Sequence, residues 1–276
     1  MLRRTFSRSV RTSGIDGDIG MTPRGDSHDP GKGCYFDRIA QVYDRHRSPG
    51  GPYDAVLKQM AESVGATRVL EIGAGTGNSA TAFIEAYPCV PVGLELSGEM
   101  LRRARDKGID AHWVHGDAHR IPLADGSVDF IYSVLAFHLM DDASVCLKEC
   151  YRVLGKGVCS VVTAPEGFIR DHLLNRYFPS FKEIDLRRFQ SEDELRRDMD
   201  AAGFCDIGFT YCEKAPVAVD AAYVDKIENR FISTLALLPE AEFRDGVRRL
   251  REDIAPAGQL EEPMVWQSVV VSGRKE

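Results

Sequence analysis

The sequence lacks several features that would assign it to a membrane, an oxidising compartment or nucleic acid. No apolar run reaches the roughly 18 residues that a membrane-spanning helix needs, so we expect no membrane span. The 7 cysteines among 276 residues include no CxxC pair, which favours reduced thiols in a cytoplasmic protein over a disulfide framework or a metal site. The formal net charge of -7 offers phosphates no broad basic surface. A small-molecule partner is therefore favoured over nucleic acid, and nothing in the sequence indicates an oligomeric state.

The first 14 residues contain four arginines and several serines but no acidic residue, a composition typical of organellar transit peptides. A disordered tail, or an upstream start codon with Met21 as the true first residue, explains the same composition. The following stretch is rich in turn-forming residues as far as Gly33. We therefore expect residues 1–33 to lie outside the fold and assign the folded domain to 34–276.

From residue 66 onward, apolar runs alternate with amphipathic segments. Strands are predicted at 67–73, 90–96, 111–117, 127–135, 157–164, 204–212 and 264–273. Helices are predicted at 78–87, 98–107 and 143–153, and a capping box at 191–194 opens another. Strands and helices in alternation predict an α/β fold, in which crossover connections build a parallel sheet covered on both faces.

Two segments exceed this repeating pattern. Residues 165–190 follow the fifth predicted strand, and residues 213–262 separate the last two strands and predict two helices, at about 219–236 and 239–253. Additions of this kind usually cover a pocket at the carboxyl edge of the sheet. We expect them to form a substrate cap, with plain structural padding as the alternative.

The stretch Val-Leu-Glu-Ile-Gly-Ala-Gly-Thr-Gly-Asn, residues 69–78, places three glycines directly after the first strand. Glycine weakens a strand, so its repetition there indicates a tight turn that a ligand approaches closely. Glu95 ends the second strand, 18 residues after Gly77. A carboxylate at that point can accept hydrogen bonds from both ribose hydroxyls of a nucleoside.

The spacing of the glycines and the local charge favour one nucleoside over another. A dinucleotide site has GxGxxG, whereas this chain has GxGxG, with Asn78 where the last glycine would fall. Glu71 stands two residues before the first glycine. Its carboxylate would repel a pyrophosphate and attract a cationic ligand, which favours S-adenosyl-L-methionine.

Four segments in order carry a resemblance: residues 69–77, 93–101, 114–140 and 149–158. They resemble the successive motifs of class I S-adenosylmethionine-dependent methyltransferases, closest to the type 11 branch that includes quinone-biosynthesis and many small-molecule enzymes. The resemblance covers about 36–212. It implies a Rossmann-like sheet of seven strands, mostly parallel with an antiparallel C-terminal strand, and S-adenosyl-L-methionine as the cofactor.

The resemblance also implies roles for individual residues. Glu71, Gly73, Ala74, Gly75 and Thr76 would surround the methionine part of the cofactor. Glu95 would hold the ribose with Leu96 near the adenine, Asp117 would bind the adenine amino group beside Ala118, and the Ser133 backbone would face the methyl group. The family's N-terminal helix is matched by 36–57, where Tyr43 is the first candidate for a lid contact, followed by Arg47 and Tyr53. Ordinary packing is the alternative for those three.

Methyl transfer from a sulfonium is an in-line displacement that gains most from alignment of the acceptor. His138, after the fourth strand, is the candidate general base for an acceptor that begins protonated, with simple packing as the alternative. His112, His115 and His119 cluster in sequence, but they fall on different faces and are not expected to bind a metal. Cys146 and Cys150 are expected to pack on one helix face.

The acceptor is expected to be a small molecule that enters beneath the two added segments. The chain lacks both the Asn/Asp-Pro-Pro-aromatic motif of amino-methylating nucleic-acid enzymes and a Pro-Cys nucleophile. Apolar pocket candidates are Phe168, Leu173, Tyr177, Phe178, Phe181 and Phe231. Candidates for binding an anionic substrate are Arg170, Arg176, Arg187 and Arg188. The alternatives are a tRNA methyltransferase, a non-catalytic S-adenosylmethionine-binding protein and, less favoured, an NAD-dependent oxidoreductase.

Overall fold

The computed structural model describes residues 36–37, 39–41, 43–47 and 49–276. The predicted tail, 1–33, lies outside the described residues. Among the described residues, no helix combines the length and the hydrophobicity that crossing a membrane requires.

Seven strands form one sheet. They are β1 (Val69–Ile72), β2 (Val92–Glu95), β3 (His112–His115), β4 (Val128–Val134), β5 (Leu154–Thr163), β6 (Cys205–Glu213) and β7 (Gln267–Lys275). The order across the sheet is β3-β2-β1-β4-β5-β7-β6, and β7 runs antiparallel to both of its neighbours. β1 is buried along its whole length and β5 from Gly157 to Thr163, because helices cover both faces of the sheet. The predicted seven-stranded sheet with an antiparallel C-terminal strand is confirmed.

Nine α-helices lie within residues 49–276. They are α1 (Asp54–Ser63), α2 (Asn78–Ala86), α3 (Gly98–Asp106), α4 (Ala143–Val153), α5 (Glu166–Asp171), α6 (Pro179–Arg188), α7 (Glu192–Ala202), α8 (Ala221–Glu228) and α9 (Glu240–Ile254). Short 3-10 turns occur at Tyr43–His46, Ala118–Arg120, Phe137–Leu139, Leu173–Arg176 and Ser233–Ala236. The capping box that opens α7 is present as predicted, with Ser191 and Glu194 bonded to each other's backbone.

Two helix predictions are wrong in their extent. The helix expected at 36–57 is interrupted, because the Pro-Gly-Gly-Pro run at 49–52 cannot continue a helix and only α1 follows it. The helix expected at 219–236 ends with α8 at Glu228. Arg230 then adopts a φ of 50°, a left-handed conformation that stops α-helical hydrogen bonding.

The two added segments share a core of their own. Both begin where a parallel strand ends, after β5 and after β6, so they meet at the carboxyl edge of the sheet. Leu173, Tyr177, Phe178 and Phe181 are all at most 6% exposed and pack against the buried faces of α8 and α9. These four side chains therefore form the centre of the cap. The expectation that they line an open pocket is wrong, because the apolar faces of the two segments bury one another. Phe168 and Phe231 remain partly exposed.

Candidate functional site

The turn between β1 and α2 explains the three glycines of the loop. Gly73, Gly75 and Gly77 all have positive φ, between 55° and 79°. A Cβ on Gly73 would lie 2.4 Å from the Ala136 Cβ, and one on Gly77 would lie 2.9 Å from the Trp113 ring. At Gly75, by contrast, a Cβ would meet no described atom within 4 Å. Gly73 and Gly77 are thus required by packing, whereas Gly75 faces open space.

Glu95 lies against this turn. Its carboxylate accepts hydrogen bonds from the Gly75 N–H at 2.9 Å and from the Ser97 N–H at 2.8 Å. Burial raises the pKa of Glu95, and the two backbone bonds oppose that rise. Leu96, next in sequence, is 53% exposed. The strand end thus presents a carboxylate and an apolar side chain beside the open face of Gly75.

Glu71 lies beneath the loop rather than on its surface. The side chain is fully buried, and its two oxygens accept hydrogen bonds from the Ser79 hydroxyl and from the Tyr132 hydroxyl, the latter at 3.0 Å. Burial raises the pKa of Glu71 to about 7. Tyr53 lies nearby, and burial followed by the charges of Asp54 and Glu71 raises its pKa. The carboxylate therefore presents no oxygen at the surface of the loop.

Asp117 follows β3, which pairs with β2, and the Gly116 N–H donates to the Glu95 carbonyl at 3.0 Å. One Asp117 oxygen accepts hydrogen bonds from the His119 N–H at 2.9 Å and from the His119 Nδ1 at 2.6 Å. The other ring nitrogen of His119 accepts from the Asp142 N–H at 3.1 Å, which places the ring hydrogen on Nδ1. Ala118 begins the 3-10 turn beside them.

The end of β4 lies next to the glycine turn. The Ser133 hydroxyl donates to the Ile72 carbonyl at 2.9 Å, and Ser133 pairs in register with Ile72. Leu135 follows with a φ of 49°, an unusual conformation for a residue with a side chain and one that clusters at functional sites. His138 comes next, and its ring stacks on Phe189 with the centroids 3.9 Å apart. The cap thus contacts His138, whose role as a base stays a prediction.

The N-terminal segment reaches both the loop and the cap. The Tyr43 side chain is partly buried, and its desolvation raises the pKa of its hydroxyl; the positive charge of Arg47 opposes the rise and the negative charge of Glu95 adds to it. Arg47 lies over the Tyr43 ring at 3.7 Å and donates to the Phe231 carbonyl at 2.6 Å. These contacts connect the Glu95 region to the second added segment.

Sequence reasoning missed a polar network around Asp44. Its carboxylate accepts from the Thr76 hydroxyl at 2.6 Å and from the Asn78 side chain at 2.9 Å, and it pairs with Lys107 at 2.8 Å. Burial would raise the pKa of Asp44, but the bonds from Lys107, Thr76 and Asn78 hold it below its usual value. Asn78 at the position of the missing third glycine was the only signal in the sequence. The network attaches the N-terminal segment to the glycine turn.

The structure also shows the contacts of the arginines, histidines and cysteines that the sequence analysis singled out. The four arginines of the first added segment all have partners within the chain: Glu166 for Arg170, Glu262 for Arg176, the Glu183 carbonyl for Arg187 and Asp185 for Arg188. These partners weaken the argument that the arginines bind an anionic substrate.

His115 forms a hydrogen bond with the Leu96 carbonyl, whereas His119 forms one with Asp117, so these two histidines make different contacts. Cys146 and Cys150 are buried in the sheet core, and the expectation that they pack there is confirmed.

Residues 70–161 match the family model described as a methyltransferase domain, of type 11. A malonyl-[acyl-carrier protein] O-methyltransferase of Pectobacterium atrosepticum is 32% identical over 137 residues, 49% of this chain and 54% of that protein. A demethylmenaquinone methyltransferase of Thermotoga maritima is 34% identical over 125 residues, 43% of this chain and 55% of that protein. The chain therefore spans about half the length of these curated relatives.

Solved structures share the fold at low sequence identity. The crystal structure of a methyltransferase-like protein from an antibiotic biosynthesis pathway of Anabaena variabilis has a TM-score of 0.61 and 19% identity, covering 78% of this chain and 96% of that one. The [4+2]-cyclase SpnF has a TM-score of 0.55 and 16% identity, covering 88% of this chain and 94% of that one. At such identities the likeness concerns the fold alone.

Proposed function

Residues 70–161 belong to the type 11 methyltransferase domain family, whose cofactor is S-adenosyl-L-methionine, and from this premise we propose that the protein transfers a methyl group from S-adenosyl-L-methionine to a small-molecule acceptor. One observation carries the proposal. A Cβ at Gly75 would meet no described atom within 4 Å, and the Gly75 N–H donates a hydrogen bond to the Glu95 carboxylate at the end of β2. An adenosyl ligand requires a stretch of backbone without a side chain beside a carboxylate.

The residues of the site fit this cofactor. Glu95 has a carboxylate at the end of β2 that would accept hydrogen bonds from the two ribose hydroxyls, and the exposed Leu96 would pack on the adenine. Asp117 would accept from the adenine amino group. When ionised, Glu71 would supply negative charge beneath a cationic methionine moiety; burial disfavours that charge, and the positive charge of the ligand would favour it.

When bound, the sulfonium supplies a methyl group that is already activated for displacement. The protein then has to orient the acceptor in line with that methyl and exclude water. The backbone around Ser133 and the strained Leu135 would form the wall nearest the methyl, and His138 would remove a proton from an acceptor that needs it. Relatives are named both as O- and as C-methyltransferases, so the atom that is methylated follows from the acceptor pocket rather than from the family.

Calorimetric titration with S-adenosylhomocysteine tests the cofactor site. Glu95→Gln removes the charge from hydrogen bonds worth about 1.5 to 3 kcal/mol, so we expect binding to weaken by roughly 10-fold or more. Glu99→Gln is the matched control, since Glu99 is a surface acid four residues away that pairs with Arg102. Equal affinity in wild type and Glu95→Gln would refute the ribose assignment.

A second measurement separates a methyltransferase from a non-catalytic S-adenosylmethionine-binding protein with the same fold. Incubation with methyl-labelled S-adenosylmethionine and a metabolite extract should release S-adenosylhomocysteine and label an acceptor. Tight cofactor binding without any turnover across extracts would favour a non-catalytic role. Stabilisation by NADH but not by S-adenosylhomocysteine would favour an oxidoreductase instead.

A further inference from the structure

The cap contains a histidine with an unused donor. His172 is 5% exposed, and its Nδ1 accepts a hydrogen bond from the Leu174 N–H at 3.1 Å. Burial lowers the pKa of His172 to about 4, so the ring is neutral. Since Nδ1 is an acceptor, the ring hydrogen is on Nε2. Within the described part of the chain, that Nε2 has no hydrogen-bond partner, an arrangement that is costly and uncommon for a buried donor.

Aromatic rings surround this imidazole. The ring centroids of Phe168, Phe181 and Trp266 lie 4.8, 5.1 and 5.3 Å from it. Phe181 is buried, but Phe168 and Trp266 are partly exposed. Displacement of either partly exposed ring would open the Nε2 hydrogen to a ligand.

A second unused donor borders the same indole. The Tyr223 hydroxyl is buried, and among the described residues its hydrogen has no acceptor. Burial raises the pKa of Tyr223, and a hydrogen bond from the Trp266 side chain to the phenol oxygen opposes that rise. Phe231 contacts both rings, with centroids 5.8 Å from Tyr223 and 6.1 Å from Trp266. Two neutral donors therefore stand in one aromatic cluster.

The cluster lies on the side of the molecule that holds the cofactor site. Trp266 immediately precedes β7, whose first residues pair with the end of β5 at the carboxyl edge of the sheet. The Phe231 carbonyl accepts from Arg47, which lies over Tyr43. Tyr43 in turn is close enough to Glu95 to respond to its charge. A short chain of contacts thus joins the aromatic cluster to the proposed ribose carboxylate.

We propose that His172 Nε2–H and the Tyr223 hydroxyl are the specificity-determining donors of the acceptor pocket. They hydrogen-bond an uncharged carbonyl or hydroxyl oxygen of a flat, aromatic methyl acceptor stacked against Trp266. The proposal rests on the proposed function in taking this pocket as the acceptor site. Neutral donors in apolar surroundings favour binding of an uncharged oxygen atom, because a carboxylate buried there would lack a compensating positive charge.

Three probes of similar size test this chemistry on the full chain saturated with S-adenosylhomocysteine: acetophenone, ethylbenzene, which lacks the oxygen, and benzoate, which is charged. We expect calorimetry to show acetophenone binding roughly 3- to 10-fold tighter than the other two, the factor that neutral hydrogen bonds provide. His172→Phe and Tyr223→Phe should each reduce that preference. In histidine-labelled protein, acetophenone but not ethylbenzene should shift the His172 Nε2–H resonance.

Tyr177→Phe is the matched control, because its hydroxyl lies in the same cap but already bonds Asp253 at 2.9 Å. It should leave the preference for acetophenone unchanged. Equal binding of acetophenone and ethylbenzene, or an unchanged preference in both donor variants, would overturn the proposal. If His172→Phe does not fold, Tyr223→Phe decides alone. S-adenosylhomocysteine affinity should match wild type in all folded variants, whereas failure of wild type to bind it would count against the proposed function instead.

Discussion

Gly75→Ala separates the role of the glycine turn in ligand binding from its role in the fold. Gly75 has a φ of 55°, and a Cβ there meets no described atom within 4 Å. The added methyl group therefore disturbs no packing, and the loss of stability comes from the left-handed backbone, at about 1 to 2 kcal/mol. The same methyl group stands where we place the ligand. Overpacking of about 1 to 3 kcal/mol would weaken S-adenosylhomocysteine binding by roughly 5- to 150-fold.

Gly65→Ala is a matched control for this substitution. Gly65 has a φ of 58° and equally open surroundings, but it lies in the turn between α1 and β1, away from the site. Both variants should lower the melting temperature by a similar amount, roughly 2 to 4 °C for each kcal/mol lost. Calorimetry should find weakened binding in Gly75→Ala alone. Equal affinity in both variants would refute the position that we assign to the ligand.

Three further predictions concern other parts of the site and the cap. Burial raises the pKa of Glu71 to about 7 in the folded protein, so the stability that its protonated form contributes is fully present below pH 4.5 and is lost as the pH rises through 7. Between pH 4.5 and pH 8, the free energy of unfolding of wild type should therefore fall by about 3 kcal/mol relative to that of Glu71→Gln, as measured by denaturation. Parallel pH dependence in the two proteins would contradict this. Asp44→Asn should speed hydrogen exchange in the N-terminal segment and weaken S-adenosylhomocysteine binding several-fold. In a double-mutant cycle, its effect on binding should not add to the effect of Lys107→Met, and full additivity would argue against the network. Gly246→Ala places a Cβ 2.3 Å from the Phe178 ring and should cost about 1 to 3 kcal/mol of stability without changing the affinity for S-adenosylhomocysteine.

Local pattern predicted the elements of the sheet well, because each buried strand is a short apolar run bounded by turn residues. The antiparallel direction of β7 was implied only by the family resemblance, and its place between β5 and β6 has no local signal in the sequence. The predicted extent of the helix at 219–236 failed because tertiary contacts override propensity there. Residues 229–232 have no proline or glycine to end a helix, yet the chain turns at Arg230 and Phe231 joins the aromatic cluster.

The candidate cofactor residues follow from strand ends, and the structure brings Gly75, Glu95 and Asp117 to one edge of the sheet as their positions predict. Asp44 and Lys107 were missed because their pairing joins elements far apart in sequence. His172 was missed for a different reason. A histidine beside apolar residues resembles an ordinary core residue in sequence, and only the geometry around Nδ1 and Nε2 distinguishes a donor that lacks a partner.

The most direct measurement is a crystal structure of the protein with S-adenosylhomocysteine bound. We expect both ribose hydroxyls within hydrogen-bond distance of the Glu95 carboxylate, the ligand lying against the backbone of Gly75, and its sulfur directed towards Ser133 and the cap. A ligand bound at another place, or a ribose that leaves Glu95 bonded only to Gly75 and Ser97, would contradict this expectation.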